Sequence, residues 1–143
     1  MNTIIDNCLI ILNDRFDDKI EIRREYLAEN SFVKSQEAKL HQAFLNILIN
    51  AEQSIKKKGL ITIKTENENK FIKISILDTG CGIEQNKLSH IIEPFYTTKE
   101  PGKGIGLGLT IAYNNIKDNF GDLKFISKVS SGTTVIIKLP FLT

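Results

Sequence analysis

Four glycines, Gly102, Gly104, Gly106 and Gly108, alternate across seven residues and run into a stretch with helical spacing at Leu109, Ala112, Tyr113 and Ile116. Glycine in an ordered element costs about 0.5–1 kcal/mol relative to alanine, so the segment is weak unless a ligand compensates. Bare backbone N–H groups beside a helix N-terminus suit an anion, a phosphate chain above all. Two familiar phosphate loops are excluded. No G-x-x-x-x-G-K-[ST] occurs, and Leu107 and Leu109 stand where G-x-G-x-x-G needs its third glycine. A flexible surface loop is the plain alternative.

The rest of the chain frames that segment. At 143 residues there is room for one domain. Nineteen Lys and Arg against seventeen Asp and Glu leave a net charge of +2, too balanced for affinity that rests on a nucleic-acid backbone. No stretch approaches the roughly 20 apolar residues of a membrane span, and Asn46 and Asn50 interrupt the densest run, 43–51. The first residues lack a signal peptide's basic start. Cys8 and Cys81 match no zinc spacing or disulfide framework, which fits a reducing, cytoplasmic setting.

Periodicity predicts a helix over 3–13 and a half-exposed strand around Ile20 and Ile22. A long helix follows, with Ser35 as its cap, Gly59 past its end, and a buried stripe of Phe44, Leu45, Leu48, Ala51 and Ile55. Strands over 60–65 and 71–77 flank a hairpin loop at 66–69. A short helical piece lies near 86–92, an irregular segment at 93–104, and a helix from 107 or 109 to about 119. A second hairpin, 122–129 and 133–139, closes the chain around 130–132. Without βαβ alternation, these elements predict an α+β fold of antiparallel-leaning sheet and helices.

Two further patterns carry chemistry. Asp78-Thr79-Gly80-Cys81-Gly82-Ile83 follows a strand directly. A carboxylate held in a pocket at a strand end accepts hydrogen bonds and donates none. It suits the exocyclic amino group of adenine and rejects the oxygen that guanine offers there. Gly80 and Gly82 let the backbone curve under a flat ring, although such a sequence is equally at home in a tight turn. Gln42, Asn46 and Asn50 recur at four-residue spacing on one face of the long helix. Amide oxygens suit Mg²⁺ held chiefly by phosphates; a solvated polar face is the alternative.

Together these stretches resemble the sensor histidine kinases. Residues 40–51 resemble their N box and 78–83 their G1 box. Residues 93–99 (Glu-Pro-Phe-Tyr-Thr-Thr-Lys) resemble the F box, 102–109 the G2 box, and Ser131-Gly132-Thr133-Thr134 the final Gly-Thr motif. The order holds over nearly the whole chain, and the run from Pro94 to Leu109 is especially similar to the nitrogen-regulation type. The resemblance implies one ATP-binding catalytic domain over 1–143 of the Bergerat fold. This is a two-layer sandwich with a mixed, mostly antiparallel sheet and helices on one face.

It also implies ATP and Mg²⁺ as ligands, with Asp78 reading adenine, Asn50 binding Mg²⁺ and Asn46 lining the same site. A lid over about 93–106 would cover the nucleotide. Around it the resemblance places Gly80, Gly82 and Ile83, then Thr97 and Thr98, then Gly104, Gly106, Leu107, Gly108 and Leu109. Thr133 would support the adenine pocket through a hydroxyl or a water. Gln53 stands where many sensor kinases carry a basic residue, so Lys99 and Lys103 are nominated to meet the triphosphate, Lys99 at the catalytic centre.

Hydrolytic relatives place a glutamate where this chain has Asn46, which cannot act as a general base. That favours phosphoryl transfer to a better nucleophile, a histidine on a separate helical domain. Neither His41 nor His90 fits as that acceptor. The implied partners are the dimerisation and phosphoacceptor domain of a parent kinase and, through it, a response regulator, with no nucleic acid and no membrane contact. A stand-alone serine kinase of the anti-sigma-factor type and a non-catalytic nucleotide-binding module are the alternatives.

Overall fold

Isoleucines at every second position build the middle of the sheet, and a three-to-four spacing builds the helices that cover it. The computed structural model describes residues 1–28, 36–88 and 108–140. Their elements are α1 (Asn2–Ile11), α2 (Asn13–Phe16), β1 (Ile20–Tyr26), α3 (Glu37–Ser54), β2 (Gly59–Glu68), β3 (Phe71–Asp78), α4 (Gln85–Leu88), α5 (Gly108–Asp118), β4 (Asp122–Lys128) and β5 (Gly132–Pro140). The strands form one sheet in the order β1-β2-β3-β5-β4. Only β1 and β2 run parallel; the other three pairings are antiparallel.

One face of the sheet is apolar. Ile61 and Ile63 of β2, Ile72, Ile74 and Ile76 of β3, and Val135, Ile137 and Leu139 of β5 are all buried. They share one core with Ile4, Ile5, Cys8 and Leu9 of α1, with Leu40, Phe44, Ile47 and Leu48 of α3, and with Ala112 and Ile116 of α5. The opposite face carries Lys73 and Lys138, which flank Glu68 at 3.8 and 2.7 Å. Full burial of one such apolar side chain is worth about 1.5–3 kcal/mol, against about 0–1 kcal/mol for an exposed ion pair. The apolar interface between the layers therefore dominates stability.

Several boundaries depart from the sequence expectations. Ser35 lies outside the described residues. Gln36, which precedes α3, has no side-chain cap of its own, and its N–H donates to Asn119 Oδ1 at 2.7 Å. Gly59 does not close α3. That helix ends at Ser54, extended Ile55 turns back into the core, and Gly59 opens β2 with its N–H on the Lys19 carbonyl at 3.0 Å. The β2–β3 hairpin is tighter than expected. Glu68 pairs with Phe71, leaving Asn69 and Lys70 as a two-residue turn with Asn69 at φ 54°, a conformation that asparagine tolerates. The single turn α2, which buries Phe16, is too short for periodicity to reveal. Of the helical piece near 86–92, the described part is α4.

Candidate nucleotide-binding site

The apolar alternation stops at one end of the sheet. The inward series Ile72, Ile74, Ile76 of β3 ends in Asp78, whose cross-strand partners are Ile61 and Thr133. Thr133 pairs in turn with Ser127 on β4. One step further into the sheet the same row reads Ile63, Ile76, Val135, Phe125. Three adjacent strands thus switch from apolar to polar in one transverse row, and that row can serve as a pocket floor where the core leaves off.

Asp78 is only 8% exposed. Its Oδ1 accepts from the N–H of Gly80 (2.9 Å), the N–H of Thr133 (3.2 Å) and the hydroxyl of Ser54 (3.3 Å). Burial pushes the carboxyl pKa above its ordinary value, and these three donors oppose that rise. The second oxygen, Oδ2, receives no hydrogen bond from the described residues. All three hydrogen bonds from the described residues thus fall on one oxygen of the carboxylate.

Thr133 reaches Asp78 through its main chain, while its hydroxyl meets Ser127 Oγ at 2.7 Å. Ser127 Oγ also accepts the Ile83 N–H at 2.8 Å, and its carbonyl accepts from Gln85 Nε2 at 2.6 Å. These contacts tie the segment after Asp78 to β4. The structure gives Gly80 and Gly82 a packing reason. A Cβ on Gly80 would lie 2.0 Å from Ser54 Oγ. One on Gly82, at φ +74°, would lie 2.1 Å from the Lys128 carbonyl oxygen.

On α3, Asn46 and Asn50 are half-buried one turn apart. Gly108 starts α5 beside Asn46, with that side chain 3.9 Å from where a glycine Cβ would sit. Gly108, the first residue of α5, therefore lies against Asn46 of α3, and Leu109 follows half-buried. Gln42 is used differently. Its Oε1 accepts from Asn115 Nδ2 at 3.3 Å, and the same amide donates to the Lys39 carbonyl at 3.0 Å, pinning α5 to α3. Gln53 has a buried Oε1 with no partner among the described residues.

Thr97, Thr98, Lys99, Lys103, Gly104, Gly106 and Leu107 lie outside the described residues, as do His90 and the segment 93–106. His41 packs against α1, its Nδ1 3.7 Å from the Sγ of Cys8, whose pKa burial pushes up to about 11. Among the described residues no three His, Cys, Asp or Glu side chains form a metal cluster. Asparagine amide oxygens are of a chemistry that suits a hard cation held chiefly by phosphates. No described helix is long and apolar enough to cross a membrane.

Ser54 and Ser127 were not anticipated. Ser54 continues the four-residue series Gln42, Asn46, Asn50 on the same helix face, so its position was available from spacing. Ser127 gives no such signal, because its role depends on strand register.

A family model described as histidine kinase-, DNA gyrase B-, and HSP90-like ATPase matches residues 35–143. The chain belongs to that family. Sporulation kinase C of Bacillus subtilis (strain 168) is 34% identical over 141 residues, covering 98% of this chain and 31% of that protein. Sensor histidine kinase ZraS of Escherichia coli (strain K12) is 30% identical over 142 residues, covering 98% and 30%. The chain thus spans about a third of the length of these curated relatives. Among solved structures, a nucleotide-free catalytic domain of histidine kinase ThkA matches with a TM-score of 0.85 and 25% identity, over 97% of this chain and 92% of that one. Within the family, the chain is an ATP-binding catalytic domain of the sensor-histidine-kinase type.

Proposed function

We propose that this domain holds Mg²⁺-ATP with the adenine amino group on Asp78 Oδ2 and passes the γ-phosphoryl group to a histidine of a separate helical domain in a parent kinase. The observation that carries the adenine reading is the division of labour in Asp78. Three protein donors occupy Oδ1, so the outward oxygen faces a ligand as a pure acceptor. Adenine offers a donor there, and guanine would leave the acid unpaired. In the transfer, the bond from the γ-phosphorus to the bridging oxygen breaks, a phosphorus–nitrogen bond forms on the imidazole, and ADP leaves.

Such a reaction needs alignment and charge neutralisation more than covalent help. Asn50, with Asn46 beside it, would hold Mg²⁺, which supplies neutralisation of phosphate charge when bound. Gly108 at the start of α5, with Gly104, Gly106, Leu107 and Leu109, would present main-chain N–H groups to the phosphates. Thr97, Thr98, Lys99 and Lys103 would close over them as part of a lid at 93–106. Asn46 cannot deprotonate water, which favours transfer over hydrolysis. The run from Pro94 to Leu109 supports a nitrogen-regulation-like subtype. The partners are the dimerisation and phosphoacceptor domain of the parent and, through it, a response regulator; ThkA has been solved in complex with the response regulator TrrA. A cytoplasmic position suits both.

Calorimetry on the isolated chain tests the base assignment. Mg²⁺-ATP is expected to bind at least about tenfold more tightly than Mg²⁺-GTP, a difference of about 1.4 kcal/mol. Equal affinities would overturn the reading. Phosphotransfer to the parent's helical domain, supplied separately, is expected to be lost in Asn50→Ala; full activity there would move the metal ligand elsewhere.

A further inference from the structure

Asp78 is held by two main-chain donors, Thr133 on β5 and Gly80 in the segment just after β3. The third donor comes from the helical layer and is a side chain. Ser54 is the last residue of α3, and its hydroxyl lies 3.3 Å from Asp78 Oδ1 and 2.7 Å from the Ala51 carbonyl. It has one proton for two acceptors, and an ionised carboxylate is the stronger of them. The hydroxyl is lodged in place. It fills the space where Gly80 lacks a Cβ, and the Ser54 carbonyl accepts the Cys81 N–H at 3.1 Å. Side chain and main chain of one residue therefore clamp the segment after β3 to the end of the helix that carries Asn46 and Asn50.

We propose that the Ser54 hydroxyl is a positioning group for base recognition, holding Asp78 Oδ1 inward so that Oδ2 is the oxygen offered to the ligand. This rests on the reading of Asp78 as the acceptor for an adenine amino group. With Ser54 removed, the carboxylate keeps only its two main-chain donors and its plane is free to turn. Its ionised form also loses one of the few groups that favour it. No charged or titratable side chain among the described residues offsets the effect of burial on Asp78; the three hydrogen bonds alone oppose it.

The test uses the whole chain and the variants Ser54→Ala and Ser54→Thr. In the ligand-free protein, a carbon-13 NMR titration of the Asp78 carboxyl is expected to show a higher midpoint in Ser54→Ala, because a donor to the charged form is gone. Calorimetry with Mg²⁺-ADP and Mg²⁺-IDP is expected to show the adenine-over-hypoxanthine ratio falling about three- to tenfold, the range for one lost hydrogen bond. Ser54→Thr keeps the hydroxyl and is expected to retain the wild-type midpoint and ratio. An unchanged midpoint and ratio in a folded Ser54→Ala protein would overturn the proposal, as would equal losses in both variants. Wild-type protein that binds ADP and IDP equally would instead overturn the adenine reading, and with it the ligand half of this proposal, whatever the carboxyl titration gives.

Discussion

Asp78 carries two opposed consequences of one burial. Its folded-state pKa stands above its ordinary value because burial disfavours the charged form. Folding therefore favours the protonated acid. That contribution is fully present below the unfolded-state pKa and is lost as pH rises through the folded-state value. At neutral pH the ligand-free protein bears the cost of a buried carboxylate, and Asp78→Asn is expected to be more stable than wild type by about 0.5–2 kcal/mol. Urea unfolding from pH 3 to pH 8 checks this: the advantage should grow with pH, and a flat difference would exclude ionisation as its cause.

The same variant should bind worse. The amide oxygen takes over the three inward donors, so the NH₂ group faces outward and opposes the adenine amino group. Mg²⁺-ADP affinity is expected to fall about 30-fold, or about 2 kcal/mol, with a smaller loss for Mg²⁺-IDP in the same titrations. At Gly80, alanine places a methyl group 2.0 Å from Ser54 Oγ. The displaced loop is expected to cost about 1–3 kcal/mol, the range for overpacking, in chemical denaturation. Asp78 could be singled out from sequence because an acid at a strand end before two glycines is a local pattern. Ser127 could not, since only the β4–β5 register brings it to Thr133.

The two long helices are joined less by surface charge than by buried amides. Asn119, 2% exposed, accepts the Gln36 N–H at the start of α3 and donates to the Asn115 carbonyl; Asn115 donates to Lys39 and Gln42. Asn119→Ala leaves the Gln36 N–H, just ahead of α3, without that acceptor and is expected to cost about 1–3 kcal/mol in urea unfolding. Lys39→Ala, which removes the exposed 2.7 Å ion pair with Asp118, should cost less than about 1 kcal/mol in the same assay. Equal costs would show that the exposed ion pair contributes as much to the joint as the buried amide. The existence of α1, α3 and α5 was readable from the three-to-four spacing of buried residues, although their ends were not. The brace was not, because Gln36 and Asn119 meet across 83 positions with no local signal. The Gly59 expectation failed for a related reason: a glycine near a helix end marks a stop only when the chain there does not go on to pair as a strand.

For the molecule as a whole, Asp78, Thr133 and Ser127 form the last row of a sheet whose preceding rows form the core. On the proposed reading, a nucleotide seated there binds the folded chain alone and so stabilises it. Mg²⁺-ADP at about 100 times its Kd is expected to stabilise the fold by about 2.7 kcal/mol if the unfolded chain does not bind it. Thermal melts at graded nucleotide concentration check this, and no shift at saturation would mean that the folded chain does not bind the nucleotide in preference to the unfolded one. The α+β class was readable from mixed periodicities without βαβ alternation. The strand order, with β1 parallel to β2 at one edge, was not, because nothing in a strand's own sequence names its neighbour.

The outward oxygen of Asp78 has a chemical alphabet of two letters. Ionised, it only receives a hydrogen; once protonated there, it can give one. If the cleft reads adenine as proposed, acid that protonates this oxygen should shift its preference toward a keto-purine, which calorimetry with Mg²⁺-ADP and Mg²⁺-IDP at falling pH checks.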